Sequence, residues 1–72
     1  MYYADYREWL KYLLDTGVIP FTVYGDMLIL LENRKQSVHT QAIQFLRRMA
    51  QEKPDVYTSF RAKKRILEGV KI

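Results

Sequence analysis

The sequence predicts an α+β fold: a small single domain in which three helices pack on a two-stranded antiparallel β-hairpin, in the order helix, hairpin, helix, helix. Three observations predict it. Residues 21–33 form the one stretch with strand character, apolar residues recur at helical spacing on both sides of that stretch, and 72 residues suffice for one small core. We therefore expect a single domain over residues 1–72.

The first helix is expected at about residues 6–16. Asp5 and Glu8 have the spacing of a capping box, in which side chains satisfy the free amides at a helix N-terminus. Gly17 is placed to end the helix. Steps of 100° per residue put four apolar or aromatic side chains on the inner stripe: Tyr6, Trp9, Leu10 and Leu13.

The β-hairpin is expected within residues 21–33. Gly25 followed by Asp26 can supply the positive φ angles of a two-residue turn, and apolar runs flank this pair. Residues 27–31 are apolar at every position, which indicates a strand covered on both faces. Because an isolated two-stranded ribbon is marginal in water, helices or a second copy must cover it. We expect a homodimer that buries part of this strand or the face of the first helix.

Two more helices are expected in the C-terminal half. Ser37 is a suitable N-cap for a helix at about residues 38–53, and Pro54 then interrupts the pattern. A last helix follows at about residues 55–68 and ends at Gly69. Lys63 falls within its inner stripe, so its stem must cross the core edge or the helix must be rotated. The inner stripes of the two helices are Val38, Ala42, Phe45, Leu46 and Met49, and Val56, Phe60 and Leu67.

Composition excludes several classes of protein. The chain has no cysteine, so it holds neither disulfides nor thiolate metal sites. Its longest apolar run, residues 27–31, is far shorter than the roughly 18 residues of a membrane span. No basic segment followed by an apolar one marks the N-terminus as a signal peptide. We expect a cytoplasmic protein of the kind that phages and mobile elements encode.

The positive charge indicates a nucleic-acid partner. The net charge of +4 is uneven: residues 1–36 hold four cations and five acids, whereas residues 37–72 hold eight cations and three acids. Gln44 and Gln51 could reach base edges, and the break at Pro54 joins the last two helices as in a helix-turn-helix pair. An ordinary solvated helix face is the simpler interpretation. The predicted nucleic-acid-binding residues are Arg47, Arg48, Tyr57, Arg61, Lys64 and Arg65.

No catalytic or metal-binding set is predicted. His39 is the one histidine, and the chain has no cysteine to complete a coordination sphere around it. Asp26 and Glu32, followed by Arg34 and Lys35, are the residue types of a nuclease metal site, but that chemistry needs an acid and a lysine two residues apart on one strand. We therefore expect no enzyme activity and no cofactor.

The function predicted from the sequence is that of a small, non-catalytic, nucleic-acid-binding or regulatory accessory protein, with duplex DNA as the expected ligand. The alternative is a protein-interaction module, an inhibitor or adaptor of a larger acidic protein. It would dock through the hairpin edge or through the first helix, where Tyr2, Tyr3 and Tyr12 could form a contact surface. A continuous basic band favours nucleic acid, whereas scattered charge beside an exposed apolar patch favours a protein partner.

Overall fold

The computed structural model describes the backbone of residues 3–70 and the side chains of residues 5–64. This part of the chain forms four helices, α1 (Tyr3–Asp15), α2 (Phe21–Leu31), α3 (Gln36–Glu52) and α4 (Pro54–Val70). Among the described residues, α1 and α3 each contact all the other helices, whereas α2 and α4 do not contact each other. A central pair, α1 and α3, is therefore covered by α2 and by α4 at separate places.

The predicted β-hairpin is wrong, and with it the α+β class, because residues 21–31 form α2 and no strand occurs between residues 3 and 70. Gly25 lies inside the helix and has no positive φ. Pro20 precedes the helix in extended backbone, and its carbonyl accepts the first helical hydrogen bond, from the Tyr24 amide at 3.0 Å. A uniformly apolar run has no period that separates strand from helix, and leucine and methionine favour helix. The chain is all-α.

α1 ends in a Schellman motif, which confirms the predicted stop at Gly17. The Gly17 amide donates to the Leu14 carbonyl at 3.0 Å, and the Val18 amide donates to the Leu13 carbonyl at 2.9 Å. Gly17 has a φ of 75°, which glycine adopts without the steric penalty of a side chain. The helix begins at Tyr3, so Asp5 lies in its first turn and not at the predicted N-cap.

A short connection after Leu31 sets the direction of α3. The Lys35 amide donates to the Asn33 side-chain oxygen at 2.8 Å, and Lys35 itself is the N-cap in extended backbone. Ser37, the predicted N-cap, lies in the first turn of α3. His39 Nδ1 donates to the Leu31 carbonyl at 2.6 Å and so satisfies one of the free carbonyls at the end of α2.

The core is centred on Trp9, whose side chain is 0% exposed. Its indole Nε1 donates to the Leu46 carbonyl at 2.9 Å and thereby joins α1 to α3. The ring also packs against two rings of α4, in a T-shaped arrangement with Tyr57 at 5.2 Å and tilted against Phe60 at 5.3 Å between centroids. Trp9 therefore connects three of the four helices through one side chain.

The predicted inner stripes of the helices largely face this core. On α1, all four predicted residues are buried, and on α3 and α4 Ala42, Leu46 and Phe60 are buried. Lys63 is exposed, and its Nζ lies 5.9 Å from the centroid of the Tyr12 ring, which packs against the core, so its stem passes over the edge of the core. The side chain of Leu67 lies outside the described residues. Phe45, Met49 and Val56 are partly buried against the core, and Val38 is partly buried without belonging to the core cluster.

Substitutions of Trp9 should separate the contribution of its hydrogen bond to the free energy of unfolding from the contribution of its packing. We expect Trp9→Phe to lower the free energy of unfolding by about 1–2 kcal/mol, because it removes the indole donor and part of the ring volume. Trp9→Ala should cost about 3–5 kcal/mol, because the cavity would lie between three helices. Urea unfolding followed by far-UV circular dichroism measures both values. A Trp9→Ala protein with an unchanged unfolding midpoint would contradict this placement of α1.

Candidate nucleic-acid interface

The exposed side of α3 carries a regular row of long polar side chains. Spacings of three and four residues place the members of the row on one side of the helix. On the opposite side, Ala42 and Leu46 are buried, so the core fixes which side of α3 faces solvent. We refer to this row as the α3 outer face: Gln41, Gln44, Arg48 and Gln51, all exposed.

Exposed cations lie on α3 and on both of its connections. Residues 34–53 hold five cations and one acid, Glu52, and all five cations are exposed. The rest of the chain holds seven cations and seven acids, so the entire net charge of +4 is carried by α3 and its two connections. The segment that carries the net positive charge, residues 34–53, is thus shorter than residues 37–72, to which the sequence analysis assigned it. The five cations are Arg34, Lys35, Arg47, Arg48 and Lys53.

The predicted site residues on α3 are available to a ligand. Arg48 is exposed in the middle of the α3 outer face. Arg47 is also exposed, and its Nε donates to the hydroxyl of Tyr6 on α1 at 2.9 Å. That bond uses one of the five N–H groups of the guanidinium and holds the side chain at the edge of the α3 outer face.

The predicted residues on α4 lie in different surroundings. Tyr57 is partly buried against Trp9, and its hydroxyl accepts a hydrogen bond from the exposed Arg61 at 3.2 Å. Lys64 forms ion pairs with two carboxylates of α1, Asp5 and Glu8, the latter at 3.3 Å. The side chain of Arg65 lies outside the described residues. Within the described part, Arg61 is therefore the exposed cation of the predicted α4 set, and Lys64 already has acidic partners.

Sequence reasoning overlooked the two ends of α3. Arg34 and Lys35 precede the helix, and Lys53 is the single residue between α3 and α4. Their contribution to the basic surface depends on where the helices begin and end. The wrongly predicted hairpin hid the boundary between α2 and α3, where Arg34 and Lys35 lie. The run Arg34-Lys35 directly before a polar helix is nevertheless a signal that could have been read.

The described residues were also compared with the requirements of a metal site and of a membrane span. Between residues 5 and 64, no three His, Cys, Asp or Glu side chains come close enough to hold a metal ion. Glu32, one of the acids weighed for a nuclease site, pairs with Arg7 at 3.1 Å. No described helix is long and apolar enough to cross a membrane. Comparisons with protein-family models, curated proteins and solved structures gave no match.

Lys64→Ala should reduce stability without affecting a ligand of α3. Lys64 is 27% exposed and links α4 to the first turns of α1, so its loss removes both of these ion pairs. Allowing for solvent screening, we expect a loss of about 0.5–1 kcal/mol in the free energy of unfolding. Thermal unfolding at low and high salt measures it, because screening should shrink the difference. The exposed Lys11 of α1, changed to Ala, is the matched control. A Lys64→Ala protein as stable as the wild type at low salt would contradict the ion pairs.

Proposed function

We propose that this chain is a small, non-catalytic, nucleic-acid-binding accessory protein that contacts duplex DNA through the α3 outer face and the cations around it. The observation that carries the proposal is the concentration of the whole net charge in residues 34–53. Exposed cations attract phosphates and release counterions on binding, which is the main source of affinity for DNA.

The shape and chemistry of the α3 outer face support this proposal. From Gln41 to Gln51 the helix rises about 15 Å, and the major groove of DNA, about 12 Å wide, admits an α-helix. A glutamine amide can both donate to and accept from an adenine edge, and arginine can bind guanine through two donors. Cations at both ends of such a helix could contact phosphates on either side of the groove.

Hydrogen bonds to α1 and α2 fix the orientation of α3, which supports its proposed role in DNA binding. Near the middle of α3, the Leu46 carbonyl accepts a hydrogen bond from the Trp9 indole. Near the beginning of α3, His39 is hydrogen-bonded to the Leu31 carbonyl at the end of α2. A helix fixed at two points presents its side chains with little loss of entropy on binding. The cytoplasmic location expected from the sequence would give the protein access to nucleic acid.

The alternative function, a protein-interaction module, would use α2 and not the first helix or the hairpin edge that the sequence predicted. Tyr6 is buried and Tyr12 is partly buried, so these two side chains do not make α1 an aromatic docking face, and the hairpin edge does not exist. Tyr2 lies outside the described residues, as does the side chain of Tyr3. The large apolar side chains that are exposed in the described part belong to α2, Phe21 and Ile29. This observation favours α2 as the site of a protein contact. A protein bound there would leave α3 available to DNA.

Replacement of Lys35 and Arg48 together by Ala should weaken DNA binding similarly on all sequences. If each cation neutralises one phosphate, the slope of log affinity against log salt should flatten by about two units, roughly 0.9 per contact. Fluorescence anisotropy with a labelled duplex at several salt concentrations measures both affinity and slope.

The control for this experiment is a double variant with the same loss of charge, Lys11→Ala with Lys63→Ala, on exposed positions of α1 and α4. It should leave the slope nearly unchanged. Equal effects of the two double variants would show that net charge alone attracts DNA. Failure of the wild-type protein to bind DNA at low salt would refute the proposal.

Gln44→Ala tests whether the α3 outer face reads bases. Because an amide contact to a base edge carries sequence information and neutralises no phosphate, the substitution should reduce discrimination between preferred and random duplexes by about 10-fold and leave the salt slope unchanged. A selection from random duplexes first identifies the preferred sequence. Unchanged discrimination in Gln44→Ala would mean that the glutamine contacts only solvent or phosphate.

A further inference from the structure

One side of α2 is apolar and uncovered. Phe21 is 74% exposed and Ile29 is 68% exposed, and these are the exposed large hydrophobic side chains of the described residues. They lie eight residues apart, with Gly25 midway, so the three positions fall along one side of the helix. We refer to Phe21, Gly25 and Ile29 as the α2 apolar face.

Nothing in the described part of the chain requires a glycine at position 25. The residue has no positive φ, and beyond its chain neighbours and the adjoining backbone of α2, a Cβ atom there would meet no atom within 4 Å. Glycine inside a helix is less favourable than alanine by roughly 1 kcal/mol. Its benefit is that another backbone can approach closely, and at Gly25 the open side is the uncovered one. The residue is therefore suited to a contact made from outside the chain.

We propose that a second copy of this chain covers the α2 apolar face, with the two α2 helices antiparallel and crossing at Gly25. A two-fold axis through that crossing would place Phe21 of each copy against Ile29 of the other, because both residues lie four positions from Gly25. The face is thus complementary to itself, as an interface between identical subunits must be. It carries no charge, so a charged ligand such as DNA does not suit it.

The size of the face sets the expected strength of the dimer. Phe21, Ile29 and the flanking parts of α2 could bury on the order of 700 Å² over both copies, which is below the roughly 1,200 Å² of stable interfaces. Asp26 lies about 100° round the helix from Gly25 and would remain at the rim in solvent. We therefore expect a reversible dimer with a dissociation constant on the order of 10–100 µM.

Sedimentation velocity of the full chain without nucleic acid tests this proposal over about 5–500 µM, a range that spans the expected dissociation constant. We expect the wild type to change from monomer to dimer across this range. Gly25→Gln should weaken the dimer at least 10-fold, because its side chain fills the crossing, yet raise the melting temperature of the dilute protein by a few degrees, since glutamine favours helix. Ile29→Gln should weaken the dimer similarly.

The matched control is Asp26→Gln, which introduces the same side chain one residue away on an exposed position outside the α2 apolar face. It should dimerise like the wild type. Two results would overturn the proposal: a wild-type protein that remains monomeric at 500 µM, or a dimer that Gly25→Gln and Ile29→Gln do not weaken. Neither result depends on DNA binding, so failure here leaves the proposed role of α3 open to its own test.

Discussion

The hydrogen bond from the Trp9 indole to the Leu46 carbonyl is the contact on which the other features depend. The bond is buried and joins two residues that are 37 positions apart in sequence, and the same ring packs against Tyr57 and Phe60 of α4. A buried indole N–H without a partner would be costly, so this bond selects one orientation of α3 relative to α1. That orientation decides which side chains of α3 are buried and which reach solvent.

Two surfaces with different chemistry follow from this arrangement. α3 contacts the other three helices, and its buried residues Ala42 and Leu46 lie on the side opposite Arg48. Together with its two connections, α3 carries the net charge of the chain. In the described part of the chain α2 contacts α1 and α3 and no other helix, and these two neighbours leave part of its apolar surface uncovered. Phe21 and Ile29 remain exposed as a result. The basic surface suits phosphate and the apolar one suits a second protein surface, so the two can serve one protein together.

The sequence was sufficient where apolar residues alternate with polar ones at helical spacing. The inner side of α1 and its stop at Gly17 were predicted, whereas residues 21–31 were not, because a run that is apolar throughout has no period. The exposed positions of Arg47, Arg48 and Arg61 follow from the same periodicity. The ion pairs of Lys64 with Asp5 and Glu8 could not be foreseen, since they join residues more than fifty positions apart and depend on how α4 packs on α1.

The most direct test of the central contact is hydrogen exchange of the Trp9 indole proton, followed by NMR. If the indole is bound to the Leu46 carbonyl inside the core, its proton exchanges only when the whole domain unfolds. We therefore expect its protection to give the same opening free energy as the slowest backbone amides of α3, close to the free energy of unfolding from urea titration. Exchange as fast as that of tryptophan in a short peptide would contradict the buried hydrogen bond and the helix arrangement built around it.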